Sequence, residues 1–289
     1  MLYGAIIGDV LGSTYEFNNT LLPPEEIPIF PKGSHPTDDS VLTCAVAEAL
    51  LDAAQPAEGS GAPAVDVEQF GEIVGDALKR WATHFPGAGY GGRFMRWMLT
   101  DSKTPTGSFG NGSAMRVSAC GWAARTLPEA LVLAELSALP THNHPEGVAG
   151  AQAAAWLIFR LREGASREAL TSEWNGLWGG CLGTLSDLAE LEASRPIPSD
   201  LRSSATLPVA AALVLGSRSY LETVQRAVAL GGDCDTIGAI AGAAAGAAFG
   251  VPVHLKVKKA DPLLPEEIKA VCRRFNAAFG ANDPRRPRH

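Results

Sequence analysis

Of 289 residues, only five are cysteines: Cys44, Cys120, Cys181, Cys234 and Cys272. They are scattered, odd in number and contain no C-x-x-C pair, which excludes a disulfide framework and a cysteine-rich zinc site and predicts a reducing, cytoplasmic setting. Basic residues are also few, 24 Lys and Arg against 31 Asp and Glu for a net charge of -7. General nucleic-acid binding needs a concentrated cationic surface and is not expected. The first residues, MLYGAIIGDVLGS, have no basic lead, and Asp9 interrupts the apolar run, so no secretion signal is read there. The longest uncharged stretch, 237–253, is rich in Ala and Gly and contains Pro252. It falls short of the roughly 20 strongly apolar residues of a membrane span, and a buried soluble helix is the better reading.

Alternating strand patterns are scarce too, whereas helical periodicity recurs. Val41, Leu42, Ala45, Val46, Ala49 and Leu50 fall on one face. Further helices are expected at 2–14, 65–84, 92–99, 113–125, 128–138, 145–162, 166–176, 183–193, 206–217, 219–229, 235–249 and 264–278. The expectation is an all-α, compact orthogonal helical bundle forming one domain over 1–280, with 281–289 a frayed basic tail. Within 235–249, Gly238, Gly242 and Gly246 form a stripe without side chains. Each Gly costs a helix about 1 kcal/mol relative to Ala, so the stripe predicts a central helix approached closely by another backbone.

Two acidic clusters stand at the mouths of expected helices: Thr37-Asp38-Asp39 and Asp233-Cys234-Asp235-Thr236. An EF-hand loop fits Gly238 at its sixth position, but Ile237 and Ala244 stand where an oxygen ligand and the closing Glu belong. Helix capping by Thr37 and Asp235 is the ordinary reading. Capping does not require a second carboxylate in either place, and four carboxylates with two hydroxyls suit two hard divalent cations such as Mg²⁺ or Mn²⁺.

Three further stretches are suggestive. SFGNGSAMR, 108–116, puts small residues before an expected helix, where free backbone N–H groups suit an anion, although such stretches are commonly plain loops. THNHPEG, 141–147, sets His142 and His144 before another helix, as structural residues, as metal ligands lacking a third partner, or as donors to a ligand phosphate. Glu16 lies seven residues beyond Asp9 and shares its helix face if the helix persists that far.

Taken in order, GAIIGDVLGSTYEF, PTDDS, GNGSAMR, THNHPEG and GGDCDTIGAIAGA resemble the ADP-ribosylglycohydrolase family, which includes dinitrogenase reductase-activating glycohydrolase and the animal ADP-ribosylhydrolases. The resemblance spans about residues 1–250. It implies a compact helical domain with a binuclear Mg²⁺ or Mn²⁺ centre that removes ADP-ribose from modified side chains or related conjugates. By motif, it implies Thr37, Asp38, Asp39, Asp233, Asp235 and Thr236 as metal ligands. Gly110, Asn111, Gly112, Ser113 and Met115 would contact ADP-ribose, with His142 near its phosphates. Glu16 matches an acidic residue beside the metals and, with Asp38 and Asp39, is a candidate to accept a proton from the attacking water. Ser40 stands where the family often has Thr, which preserves the hydroxyl. A catalytically silent ADP-ribose-binding module and a metal-dependent pyrophosphohydrolase of ADP-ribose-like substrates are the alternatives. The chain is expected to act as a monomer on an ADP-ribosylated protein or conjugate, away from membranes, with loops 18–36 and 86–108 forming the rim on the acceptor side.

Overall fold

A computed structural model describes residues 1–56 and 61–284. Residues 285–289 of the expected tail lie outside them. Among the described residues fourteen α-helices follow in chain order: α1 Tyr3–Gly12, α2 Asp38–Asp52, α3 Val67–His84, α4 Gly92–Met98, α5 Ser118–Ala123, α6 Leu127–Ala138, α7 Pro145–Arg162, α8 Arg167–Leu177, α9 Gly179–Leu182, α10 Leu188–Ala193, α11 Ser203–Gly216, α12 Tyr220–Leu230, α13 Cys234–Phe249 and α14 Glu266–Phe279. Two antiparallel residue pairs, Ala54–Val65 and Gln55–Ala64, are the strand pairing among the described residues. The expectation of an all-α protein holds. No described helix is long and apolar enough to cross a membrane.

Local chemistry sets most boundaries. Asp66, Thr126, Ser166 and Ser219 accept backbone N–H bonds at the starts of α3, α6, α8 and α12, satisfying donors that the first helical turn leaves without partners. Some expectations need correction. The expected helix 183–193 shortens to α10, because Gly183 takes a left-handed backbone (φ 87°) that ends the preceding α9 and Asp187 caps a new start. The one expected from 113 begins at Ser118, after a 3₁₀ turn at Asn111–Ser113. A π-helical segment, Leu255–Ala260, lies where none was expected.

The central pair is α1 against α13, two helices buried almost all round. Their contact is backbone on backbone. A Cβ placed on Gly8 would stand 1.9 Å from the Gly238 carbonyl oxygen, one on Gly242 would stand 2.4 Å from Gly4 O, and one on Gly12 2.4 Å from the Asp235 Cα. The glycine stripe of α13 therefore meets a matching stripe, Gly4, Gly8 and Gly12, on α1. This seam brings the Asp9 end of α1 beside the N-terminus of α13.

Candidate metal centre and ligand cleft

Asp9 is the one charged residue of α1 and is fully buried. Its carboxylate accepts the backbone N–H groups of Thr37 (3.0 Å) and Ser40 (3.1 Å), the Thr37 hydroxyl (2.7 Å) and the Ser40 hydroxyl. It thus fixes the first turn of α2 against α1. Thr37 is also the N-cap of α2, its Oγ1 accepting from the Asp39 N–H at 3.3 Å. The capping role expected of Thr37 is present, but it leaves both adjacent carboxylates unexplained. On α13 the N-cap position belongs to Asp233, whose side chain makes no capping bond, so Asp235 is not a cap.

The two clusters converge. Carboxylate oxygens of Asp9, Asp39 and Asp235 lie within 4.8 Å of one another, as do those of Glu16, Asp233 and Asp235. The Thr236 hydroxyl reaches Asp39 Oδ2 at 3.4 Å, and Asn111 Nδ2 donates to Asp233. α1 stops at Gly12, so Glu16 does not share a helix face with Asp9 as the sequence suggested; a turn beyond the helix carries it to the cluster instead.

These five carboxyls and the neighbouring Asp38 oppose one another's ionisation. Burial, reinforced by neighbouring carboxylates, pushes Asp38 and Glu16 up to about 7 and Asp235 up to about 9. Burial raises Asp9, Asp39 and Asp233 as well, with hydrogen bonds opposing the rise at Asp9 and Asp233. Among the described residues, none of the six is ion-paired to a Lys or Arg. The Asp39 Oδ1 is buried with no hydrogen-bond partner, a placement that costs about 1–3 kcal/mol or more if nothing completes it. An all-oxygen donor set with surplus negative charge and an orphaned carboxylate oxygen fits hard divalent cations.

Above the acids opens a cleft of about 740 Å³, within the size range of small-molecule sites. Gly110, Asn111, Gly112, Met115 and His142 line it, as do Thr37, Asp38, Asp39, Asp233, Asp235 and Thr236. Ser113 stands apart from this wall: it is fully buried, and its hydroxyl donates to Gly147 O at 2.7 Å. The Gly110 turn is pinned from behind, with the Asn111 N–H donating to Leu201 O (2.8 Å), the Ser203 N–H to Phe109 O (3.1 Å) and the Ser203 hydroxyl to Gly110 O (2.9 Å). A full helix start does not face the cleft here, because this stretch is a 3₁₀ turn whose Asn111 amide is already bonded.

The two histidines part company. His142 is buried on the cleft wall, whereas His144 is exposed and caps α7, accepting the Glu146 N–H at 3.2 Å. Of the expected rim, 87–89, 91–94, Thr106 and Ser108 contribute, but from 18–36 only His35 reaches the cleft; Asp200, Leu201 and Arg202 complete it. Sequence reasoning overlooked Asp9 as part of the site, although a lone carboxylate in an otherwise apolar helix was a legible signal.

The family model described as ADP-ribosylglycohydrolase matches residues 1–285. An uncharacterised Escherichia coli (strain K12) protein, YegU, is 27% identical over 282 residues, an alignment covering 81% of this chain and 76% of that protein. A solved structure described as an ADP-ribosylglycohydrolase-related protein complex superposes with a TM-score of 0.63 at 25% identity, covering 96% of each chain.

Proposed function

The chain belongs to the ADP-ribosylglycohydrolase family of hydrolases, and on that premise we propose that it cleaves the glycosidic bond between ADP-ribose and a modified side chain or related conjugate, using two divalent cations, Mg²⁺ or Mn²⁺. The observation that carries this reading is the cluster of five carboxyls, Asp9, Glu16, Asp39, Asp233 and Asp235, with Asp38 beside it, none ion-paired to a described Lys or Arg, at the floor of a ligand-sized cleft. Thr37, Asp38, Asp39, Asp233, Asp235 and Thr236 would hold the cations, with Asp9 fixing Thr37 and Ser40 behind them. Bound there, divalent cations supply Lewis acidity, which makes water a better nucleophile and stabilises developing negative charge.

The chain's own groups do the rest. Gly110, Asn111, Gly112 and Met115 shape the wall that receives ADP-ribose, His142 faces its phosphates, and Ser113 supports the turn from behind. A water attacking the anomeric carbon gives its proton to a carboxylate as the bond to the acceptor breaks, and the departing acceptor takes up a proton. Glu16 and Asp38 are placed for that task, since both line the cleft at the acidic cluster, and Glu16 is outside the set that would hold the cations. Asp39, wholly buried with a free oxygen, suits ligation better than proton transfer.

The test is incubation of an ADP-ribosylated protein with Mg²⁺, with Mn²⁺ and with chelator, followed by product analysis. Free ADP-ribose appearing only with a divalent cation is the expected result. AMP and ribose phosphate would instead identify a pyrophosphohydrolase, and tight binding without turnover a recognition module. A panel of arginine, serine, O-acetyl-ADP-ribose and nucleic-acid linkages then assigns the acceptor.

A further inference from the structure

His142 has one ring nitrogen occupied from within the protein and one turned to the cleft. Its Nδ1 lies 2.7 Å from the Thr141 hydroxyl. That hydroxyl also receives a hydrogen from Arg116 Nη2 at 2.9 Å, the same nitrogen donating to Ser137 O at 2.7 Å. A hydroxyl has a single hydrogen to give. Were Nδ1 protonated, both neighbours of Thr141 Oγ1 would be donors. The Thr141 hydrogen would then be stranded in a site 1% exposed, with no other acceptor for it among the described residues. The arrangement is satisfied only if Arg116 donates to Thr141 and Thr141 donates to Nδ1. The ring hydrogen then sits on Nε2.

Nε2 points at the glycine turn. A Cβ on Gly112 would lie 3.3 Å from it and one on Gly110 4.0 Å, so the missing side chains leave this edge of the ring open to the cleft. Among the described residues Nε2 has no protein partner. Burial and the nearby Arg116 also hold the imidazole well below its ordinary pKa, which keeps the ring neutral and makes its tautomer matter.

We propose that Arg116, acting through Thr141, is a positioning residue that locks His142 in the Nε2–H tautomer, so that one fixed donor projects into the cleft toward an anionic ligand oxygen. The ligand, a diphosphate-bearing nucleotide sugar, rests on the function proposed above; the tautomer does not. Arg116 is fully buried in the cleft wall, with Nη2 engaged by Ser137 and Thr141, and touches no reacting atom in this scheme. A simpler role, holding the Ser137 carbonyl at the end of α6, would leave the tautomer indifferent to it.

The experiment uses the full chain with ¹⁵N-labelled histidine and a long-range ¹H–¹⁵N spectrum, the His142 signals being assigned by their loss in His142→Gln. The ligand-free wild type should give a pure Nε2–H pattern. Thr141→Ser should keep it, whereas Thr141→Val and Arg116→Met should admit an Nδ1–H population. ADP-ribose affinity, measured by calorimetry with Mg²⁺, should fall about fivefold to tenfold in Thr141→Val and stay within about twofold in Thr141→Ser, as loss of one positioned hydrogen bond implies. An Nδ1–H wild type, or Val and Met variants matching the wild type in both tautomer and affinity, would overturn the inference. If Arg116→Met does not fold, the Thr141 pair decides. Failure of the wild type to bind ADP-ribose would sink the proposed function while the tautomer result stood on its own.

Discussion

Replacing Gly8 with Ala tests whether the α1–α13 seam holds the site together. The new Cβ would meet Gly238 O at 1.9 Å, and Cβ atoms essentially never approach below 3.0 Å, so the helices must part by about 1.1 Å (3.0 minus 1.9). A gap of that size forfeits about a quarter to a half of each dispersion contact along the seam. Overpacking of this kind costs about 1–3 kcal/mol, and here the obstacle is backbone, which no rotamer change relieves. Against this, Ala returns about 1 kcal/mol of helix propensity. Because backbone cannot yield, the upper end applies, and the expected net effect is a loss of about 2 kcal/mol (about 3 minus about 1). Because Gly8 adjoins Asp9, cation affinity should fall with it. Gly75→Ala is the control: it lies inside α3, its Cβ would meet Pro140 at an ordinary 3.6 Å, and it should be stabilised by about 1 kcal/mol. Urea unfolding gives the stabilities, and titration with Mn²⁺ followed by electron paramagnetic resonance gives the affinities. A Gly8→Ala protein as stable as Gly75→Ala, binding Mn²⁺ normally, would refute the reasoning.

Other outcomes follow from the acidic cluster. Asp38→Asn and Asp233→Asn should abolish divalent-dependent release of ADP-ribose while circular dichroism stays helical; activity persisting in both would remove the metal hypothesis. Asp9→Asn should lower both the melting temperature and the cation affinity. The amide would aim hydrogens at donors from Thr37 and Ser40, a mismatch worth about 1–3 kcal/mol or more. The pH dependence has a definite sign. Asp38, Glu16 and Asp235 have folded pKa values raised above their unfolded ones, so without metal the folded state holds protons that the unfolded state has released. Their stabilisation is complete below about pH 4 and is lost as pH climbs through about 7 and then about 9. Chelator-treated protein should therefore lose stability in thermal melts from about pH 5.5 to about pH 8.5, and the stabilisation gained from Mg²⁺ should grow over the same span. A flat or rising profile in chelator would contradict the raised values.

The sequence signals were strongest where local chemistry decides. The expected helix 145–162 coincides with α7, because Pro145 at the first position and Arg160 and Arg162 in the last turn mark its ends. The acidic clusters stood out because their excess charge had no local use, and the fold brings them together. What the chain did not disclose depends on distant partners. Nothing local told that the glycines of α13 would meet those of α1, or that Asp9 would face Thr37 and Ser40 across 28 and 31 residues. Ser113 and Met115 share one motif, yet the turn sends Met115 to the cleft and Ser113 to Gly147. The Glu16 reading rested on a helix that stops four residues too soon, yet the turn after it delivers the carboxyl to the same place.

Asn111 has a consequence for how the two halves of the cleft communicate. Its side-chain amide donates both to Asp233 and to the Thr206 hydroxyl at 3.0 Å, while its backbone forms the wall beside His142. A cation that drew on Asp233 and a ligand that pressed on the glycine turn would therefore act on one residue. Binding of either would then change the free energy of binding the other, and by thermodynamic reciprocity the factor would be the same in both directions. A cation affinity measured without ligand would thus describe a different equilibrium from the one present with the cleft filled.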